Sequence, residues 1–95
     1  MIDLEIKYID FIKETISQYL QNCKIYIFGS RTKGTARKYS DIDIALDCKD
    51  LNENILLKIK NHFEDSTLPY EVDILDLNNI SETFKKHIEN NLTEI

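Results

Sequence analysis

Two carboxylates flank a single residue at the start of an apolar run. Asp41 and Asp43 open the segment D-I-D-I-A-L-D-C, and ten residues separate Asp41 from an earlier Gly-Ser pair, Gly29 and Ser30. Carboxylates about 4 Å apart repel each other by roughly 4 kcal/mol at an effective dielectric constant of about 20. A divalent cation with oxygen ligands would offset that repulsion. The acid pair therefore predicts a metal-binding site.

The residues between the Gly-Ser pair and the acid pair are basic. The segment Lys24–Ser40 carries a charge of +5 with no acid, while the rest of the chain carries −10. Gly29 lets the backbone approach a ligand closely, and Ser30 stands where the N-terminus of a helix would favour a phosphate. Arg31 and Lys33 would add charge-assisted hydrogen bonds. An anion-binding segment beside paired carboxylates is typical of phosphoryl- or nucleotidyl-transfer sites.

Three runs rich in β-branched and aromatic residues predict the strands that position these groups. They lie at about 24–28, 42–48 and 70–75, each bounded by Gly, Ser, Asp or Pro. Alternation along the second strand places Asp41 and Asp43 on one face, opposite the isoleucines that enter the core. The acid pair is therefore expected to project from a buried sheet.

A third carboxylate, Asp73, lies in the last predicted strand. If that strand neighbours the second one, Asp73 joins Asp41 and Asp43 around one site. There it could ligate a metal or act as a general base toward an incoming hydroxyl. Asp47 and Asp76 are expected at strand ends without a role.

Periodic apolar residues and capping signals predict four helices packed on the sheet, at 3–21, 30–36, 50–64 and 79–92. The order of elements is then αβαβαβα, an α/β (α+β) fold with a small sheet. The apolar stripe of the last helix could complete the core or dock a partner, and the core is the expectation. His62 and His87 lie beside apolar stripes and are expected to be packing residues.

Composition bounds the class of protein. The chain has 95 residues, 42% of them hydrophobic and 31% charged, which predicts one globular domain over 1–95. A net charge of −5 argues against extended nucleic-acid binding. Because no apolar run is long enough to span a membrane, the expected location is the cytoplasm. In that compartment Cys23 and Cys48 are expected to be reduced thiols.

These motifs resemble those of a known family. The spacing G-S-x10-D-x-D resembles the signature of the DNA polymerase β-like nucleotidyltransferase superfamily. The fuller strings G-S-R-x-x-G, S-D-I-D-I-A and S-T-L-P-Y-E-V-D-I-L-D-L resemble its minimal nucleotidyltransferase (MNT) branch, over about residues 20–92. The resemblance implies the polymerase β-like palm fold, a small mixed sheet with helices packed on it.

The resemblance also implies an activity, which is Mg²⁺-dependent transfer of AMP from ATP to a hydroxyl acceptor. It assigns catalysis and metal binding to Asp41, Asp43 and Asp73. It assigns nucleotide binding to Gly29, Ser30, Arg31, Lys33 and Ser40. MNT proteins form two-gene modules with small helical HEPN-type or "substrate-binding" partners, and some are antitoxins that transfer AMP to a tyrosine of a HEPN toxin.

Other readings remain open at the level of the sequence. The chain could neutralise its partner by contact alone, or it could sense ATP as a non-catalytic subunit of a two-protein complex. Tyr39 could stack on a base or cover its loop. The acceptor, the preferred base and the choice between homo- and hetero-oligomers are not determined by these residues.

Overall fold

A four-stranded mixed sheet forms the centre of the computed structural model, which describes residues 2–37 and 40–95. The elements follow in chain order: α1 Ile6–Ser17, β1 Lys24–Phe28, α2 Ser30–Lys33, β2 Ile42–Asp47, α3 Glu53–Glu64, β3 Val72–Asp76, a 3₁₀ turn Leu77–Asn79, α4 Glu82–Ile88, a 3₁₀ turn Glu89–Asn91 and β4 Thr93–Glu94. The predicted α/β class and the predicted order through α4 are confirmed.

The strands lie in the order β3-β2-β1-β4. Strand β1 pairs antiparallel with both β2 and β4, whereas β2 and β3 are parallel. In the parallel pair, Asp43 lies directly opposite Asp73. Strand β3, which carries Asp73, is therefore the neighbour of β2, the arrangement that a shared site of the three acids requires.

Alternation along the strands gives the sheet two different faces. One face packs against α1 and α3 in the main core, where Ile12, Ile44 and Ile59 have no solvent exposure. On the opposite face, buried Ala45 packs with Leu77 and Ile88. Asp43 and Asp73 project on this second face by parity, so the acids avoid the main core.

The first three helices are shorter than their sequence patterns predict. Helix α1 covers Ile6–Ser17, and α2 ends at Lys33 because Gly34 adopts the left-handed conformation that stops helices. The N-cap of α3 is Asn52, whose side chain accepts a hydrogen bond from the Ile55 amide at 2.9 Å. Within the described ranges, no helix is long and apolar enough to cross a membrane.

The C-terminal region differs most from the sequence prediction. The helix predicted for 79–92 is limited to Glu82–Ile88, with Ser81 as its N-cap. The residues after it form a 3₁₀ turn and then β4, which pairs with β1. The expected core stripe holds only in part, because Ile88 is buried whereas Phe84 is 41% exposed.

The two histidines differ in environment. The His62 ring makes a 2.8 Å hydrogen bond with the Tyr19 hydroxyl in a partly buried position, which confirms its packing role. His87 is exposed on α4, so the same expectation for this residue is wrong. In the short α4, Ile88 is the buried residue, and the side of the helix that carries His87 faces solvent.

The expectation of two reduced thiols is also wrong, because Cys23 and Cys48 form a disulfide. The pairing of β1 with β2 explains it. Lys24 lies opposite Asp47 at the end of the ladder, so Cys23 and Cys48 occupy the next opposed positions. Their Cα atoms are 4.5 Å apart, a separation that a disulfide can span.

Candidate active site

The turn from β1 into α2 brings the backbone against an acid. Gly29 has φ +78°, a conformation that residues with a side chain rarely adopt. A Cβ atom at this position would overlap the carboxylate of Asp43. Phe28, the preceding residue, lies opposite Asp43 in the ladder between β1 and β2. The glycine is therefore required for the close approach of the α2 turn to Asp43.

Three carboxylates meet at this end of the sheet. Asp43 is half-buried on β2, with exposed Asp73 opposite it on β3 and exposed Asp41 just before β2. Burial raises the pKa of Asp43 above its usual range, and the negative charges of Asp73 and Asp41 raise it further. The sequence-predicted acids are thus brought together, with Asp43 at their centre.

The donor set fits a metal ion that is shared with a substrate. Among residues 2–37 and 40–95, no group of three His, Cys, Asp or Glu side chains is gathered closely enough to hold a metal by itself. Mg²⁺ commonly binds through one or two carboxylates together with substrate phosphates and water. Asp41 and Asp43 are the predicted pair, and the pKa of Asp43 is raised by burial and then by the charges of Asp73 and Asp41, all of which a bound cation would offset. The role of Asp73 as a further ligand stays a prediction.

The predicted nucleotide-binding residues occupy different surroundings. Ser30 is half-buried at the first position of α2, directly after Gly29, and Lys33 is exposed at the last position. The Ser40 hydroxyl accepts a hydrogen bond from the Arg37 amide at 2.8 Å, which shapes the loop before Asp41. Lys38 of the basic segment and Tyr39, with its two alternatives, lie outside the described residues.

Arg31 has a place that the sequence did not indicate. It is 4% exposed, and its two terminal nitrogens donate to the backbone carbonyls of Asp3 at 2.7 Å and Ser40 at 2.8 Å. Its guanidinium carbon lies 4.4 Å from the centre of the Tyr70 ring. Sequence reasoning missed Asp3 and Tyr70 as neighbours of the site, because no periodicity or spacing links these distant positions.

A groove of about 580 Å³ runs along β3 and reaches the acid cluster. Its lining is mixed: apolar side chains such as Phe63, Leu68 and Tyr70 alternate with the charged side chains of Lys60 and Glu64. Asp73 lines it as well. The site therefore combines an acid cluster, a tight glycine turn and an adjacent groove with both apolar and charged lining residues.

Comparison with known proteins gives a family match. A family model described as "Polymerase beta, Nucleotidyltransferase" matches residues 10–95. A Haemophilus influenzae protein named "Probable protein adenylyltransferase MntA" is 33% identical over 88 residues. The alignment covers 92% of this chain and 77% of that protein.

Solved structures share the fold. A crystal structure of a toxin-antitoxin with AMP-PNP matches with a TM-score of 0.76 and 26% identity, over 90% of this chain and 69% of the other. A tri-AMPylated HEPN toxin of Shewanella oneidensis in complex with its MNT antitoxin matches with a TM-score of 0.68 and 24% identity, over 90% and 66% of the two chains. At the latter identity the likeness supports the fold alone.

Proposed function

This chain belongs to the polymerase β nucleotidyltransferase family and to its MNT branch, and from that premise we propose that it transfers AMP from ATP to a hydroxyl group of a partner protein. The observation that carries the proposal is the pairing of Asp43 with Asp73 across two parallel strands, beside the Gly29 turn. A protein that only binds its partner has no need for neighbouring carboxylates whose charges repel one another.

The roles of the acids follow from their surroundings. Asp41 and Asp43 would hold Mg²⁺, which when bound neutralises charge on the triphosphate. Asp73 is exposed next to this pair and at the groove, so it is suited to accept the proton of the incoming hydroxyl. The hydroxyl oxygen would attack the α-phosphorus, and the bond from that phosphorus to pyrophosphate would break. Ser30 and Lys33 would contact the phosphates.

A tyrosine of a helical HEPN-type toxin is the proposed acceptor. The relative from Haemophilus influenzae carries the name of a protein adenylyltransferase, and a structural relative is a toxin-antitoxin with AMP-PNP. The groove beside Asp73 adds local support, because its lining joins apolar side chains such as Leu68 and Tyr70 to charged ones such as Lys60, a combination that suits the apolar ring and polar hydroxyl of a tyrosine. A tyrosine bound there would present its hydroxyl near Asp73.

The test is to incubate the chain with ATP, Mg²⁺ and the helical protein encoded beside it, and to read the intact mass of both proteins. The proposal expects the partner to gain one or more AMP units. The double variant Asp41→Asn/Asp43→Asn is the control and should add none. If no adduct forms and the double variant still neutralises the partner, the chain acts by contact. If ATP binds without an adduct and changes the affinity for the partner, the chain is a sensor.

A further inference from the structure

Arg31 is a buried charge without an acidic partner. Its side chain is 4% exposed, yet the only ion pair within the part of the chain that the structure describes is between Lys7 and Glu5 on the surface. Its Nε atom is buried and has no hydrogen-bond partner among residues 2–37 and 40–95. Burial of a guanidinium in these surroundings costs folding free energy, and an apolar side chain of similar volume at such a position often leaves a protein equally or more stable. Stability alone therefore does not explain an arginine here.

The contacts of Arg31 join three separate segments. One terminal nitrogen donates to the Asp3 carbonyl at 2.7 Å, and the Asp3 amide donates to the Arg31 carbonyl at 2.8 Å, so these two residues are bonded reciprocally. The second terminal nitrogen donates to the Ser40 carbonyl at 2.8 Å. The guanidinium carbon lies over the Tyr70 ring, and Tyr70 makes an edge-to-face contact with Tyr8 of α1, with the ring centres 5.4 Å apart.

Two of the joined segments, and the segment that carries Arg31 itself, lead directly to residues of the proposed site. Ser40 precedes Asp41, Arg31 follows Ser30, and Tyr70 lies three residues before Asp73. The main chains are also connected at this point, because the Ile42 amide donates to the Glu71 carbonyl at 2.9 Å. Displacement of Arg31 would therefore change the relative positions of the two acidic strands where they begin to pair.

The shape of the side chain explains why an arginine is needed. The planar guanidinium directs its two terminal nitrogens to two carbonyls and presents a flat face to an aromatic ring. A lysine ammonium is a compact group and cannot donate to both carbonyls in this geometry. A methionine can fill the volume but donates no hydrogen bond. Each terminal nitrogen of Arg31 already donates to a backbone carbonyl, and the residue is 4% exposed, so a phosphate arriving from solvent has little access to the guanidinium.

We propose that Arg31 is a positioning residue that holds the Asp41 and Asp73 segments in register, and that it does not contact the nucleotide phosphates. The effect of Arg31 on kcat rests on the proposed function, whereas its effect on the register of the two strands does not. It replaces the role in nucleotide binding that the family resemblance assigned to this residue.

The kinetic test compares Arg31→Lys and Arg31→Met with the wild-type chain. We expect kcat for AMP transfer to fall by roughly 10- to 100-fold in both variants, since a small misplacement of reacting groups has effects of that size. Binding of AMP-PNP in EDTA, which reports phosphate contacts without the metal, should stay within about twofold of wild type. The opposite result, a loss of AMP-PNP affinity of about tenfold or more with little change in kcat, would overturn the proposal.

Lys7→Met is the matched control, because Lys7 also lies over a tyrosine ring, at 5.0 Å from the centre of Tyr8, but is exposed. It should leave kcat unchanged. Circular dichroism shows whether each variant folds. If Arg31→Met does not fold, the kinetic test is made with Arg31→Lys alone.

A second measurement separates this inference from the proposed activity. Hydrogen exchange at the Ile42 amide should be at least about tenfold faster in Arg31→Lys than in Lys7→Met, because the hydrogen bond from Ile42 to Glu71 loses its support. If the wild-type chain transfers no AMP, the proposed function fails, and this exchange rate still tests the positioning role. Unchanged exchange would refute that role whether or not the chain is active.

Discussion

Asp43 combines a cost to stability with the chemistry of the site. Its pKa is raised by burial and then by the charges of Asp73 and Asp41. The folded state therefore holds the Asp43 proton more tightly than the unfolded state does. As the pH rises from the ordinary carboxyl pKa through the raised value, the folded state loses stability. Above that raised value, the ionised acid destabilises the protein in the absence of a cation.

We predict that Asp43→Asn raises the melting temperature at neutral pH and lowers AMP transfer by at least about 10³-fold, since the amide removes both the repulsion and a metal ligand worth several kcal/mol. Thermal melts between about pH 4 and 8 should also lose part of their pH dependence. Asp47→Asn is the control, because Asp47 lies on the same face but accepts a hydrogen bond from Asn78 at 3.1 Å, away from the acid cluster. A variant at position 43 that melts below wild type at pH 7 would contradict this account.

The two glycines provide a second comparison at the scale of single residues. Both have positive φ, +78° at Gly29 and +73° at Gly34, but only at Gly29 would a Cβ meet the Asp43 carboxylate. Gly34→Ala should destabilise the fold by roughly 1–2 kcal/mol through backbone strain and leave AMP transfer intact. Gly29→Ala should destabilise it by more and reduce transfer by about 100-fold, because Asp43 must move. Chemical denaturation and transfer assays on both variants would show equal effects if the close contact were unimportant.

At the scale of elements, the disulfide links β1 to β2 at the end of the sheet opposite the Gly29 turn. It closes a sequence separation of 25 residues, for which the loss of chain entropy in the unfolded state predicts roughly 3.5 kcal/mol of stabilisation. Reduction of the wild-type chain, or the double variant Cys23→Ser/Cys48→Ser, should lower the free energy of unfolding by about that amount. Denaturation with and without reductant measures it. Equal midpoints for the oxidised and reduced protein would be incompatible with the bond.

The strands were more predictable from sequence than the helix boundaries. In β2, Ile42, Ile44 and Leu46 alternate with polar or small residues, so both the strand and the face that carries Asp43 could be predicted. For α4 the apolar spacing Ile80, Phe84, Ile88 and Leu92 continues beyond the actual helix. Leu92 instead precedes β4, whose pairing with β1 is a tertiary contact that local spacing does not encode.

At the scale of the whole molecule, the sequence predicts which acids share a face but not the strand order that joins them. Asp43 and Asp73 meet because β3 returns parallel to β2 after α3, a connection that only the assembled sheet decides. The Arg31 contacts depend on the same assembly, since they unite Asp3, Ser40 and Tyr70. Cys23 and Cys48 could have been paired from the register of β1 and β2, had that register been known.

Ligand binding should reverse the effect of the acid cluster on the stability of the fold. Mg²⁺ with AMP-PNP at about 100 times its dissociation constant would add roughly 2.7 kcal/mol to the free energy of unfolding. Because Asp43 must lose its proton to bind the metal and its pKa is raised, this gain should increase with pH through that raised value. Melting curves with Mg²⁺ and AMP-PNP, against the same nucleotide in EDTA, measure it at each pH. Asp43→Asn should show no metal-dependent gain, whereas an equal gain for wild type in EDTA would mean that the triphosphate binds without a metal held by these acids.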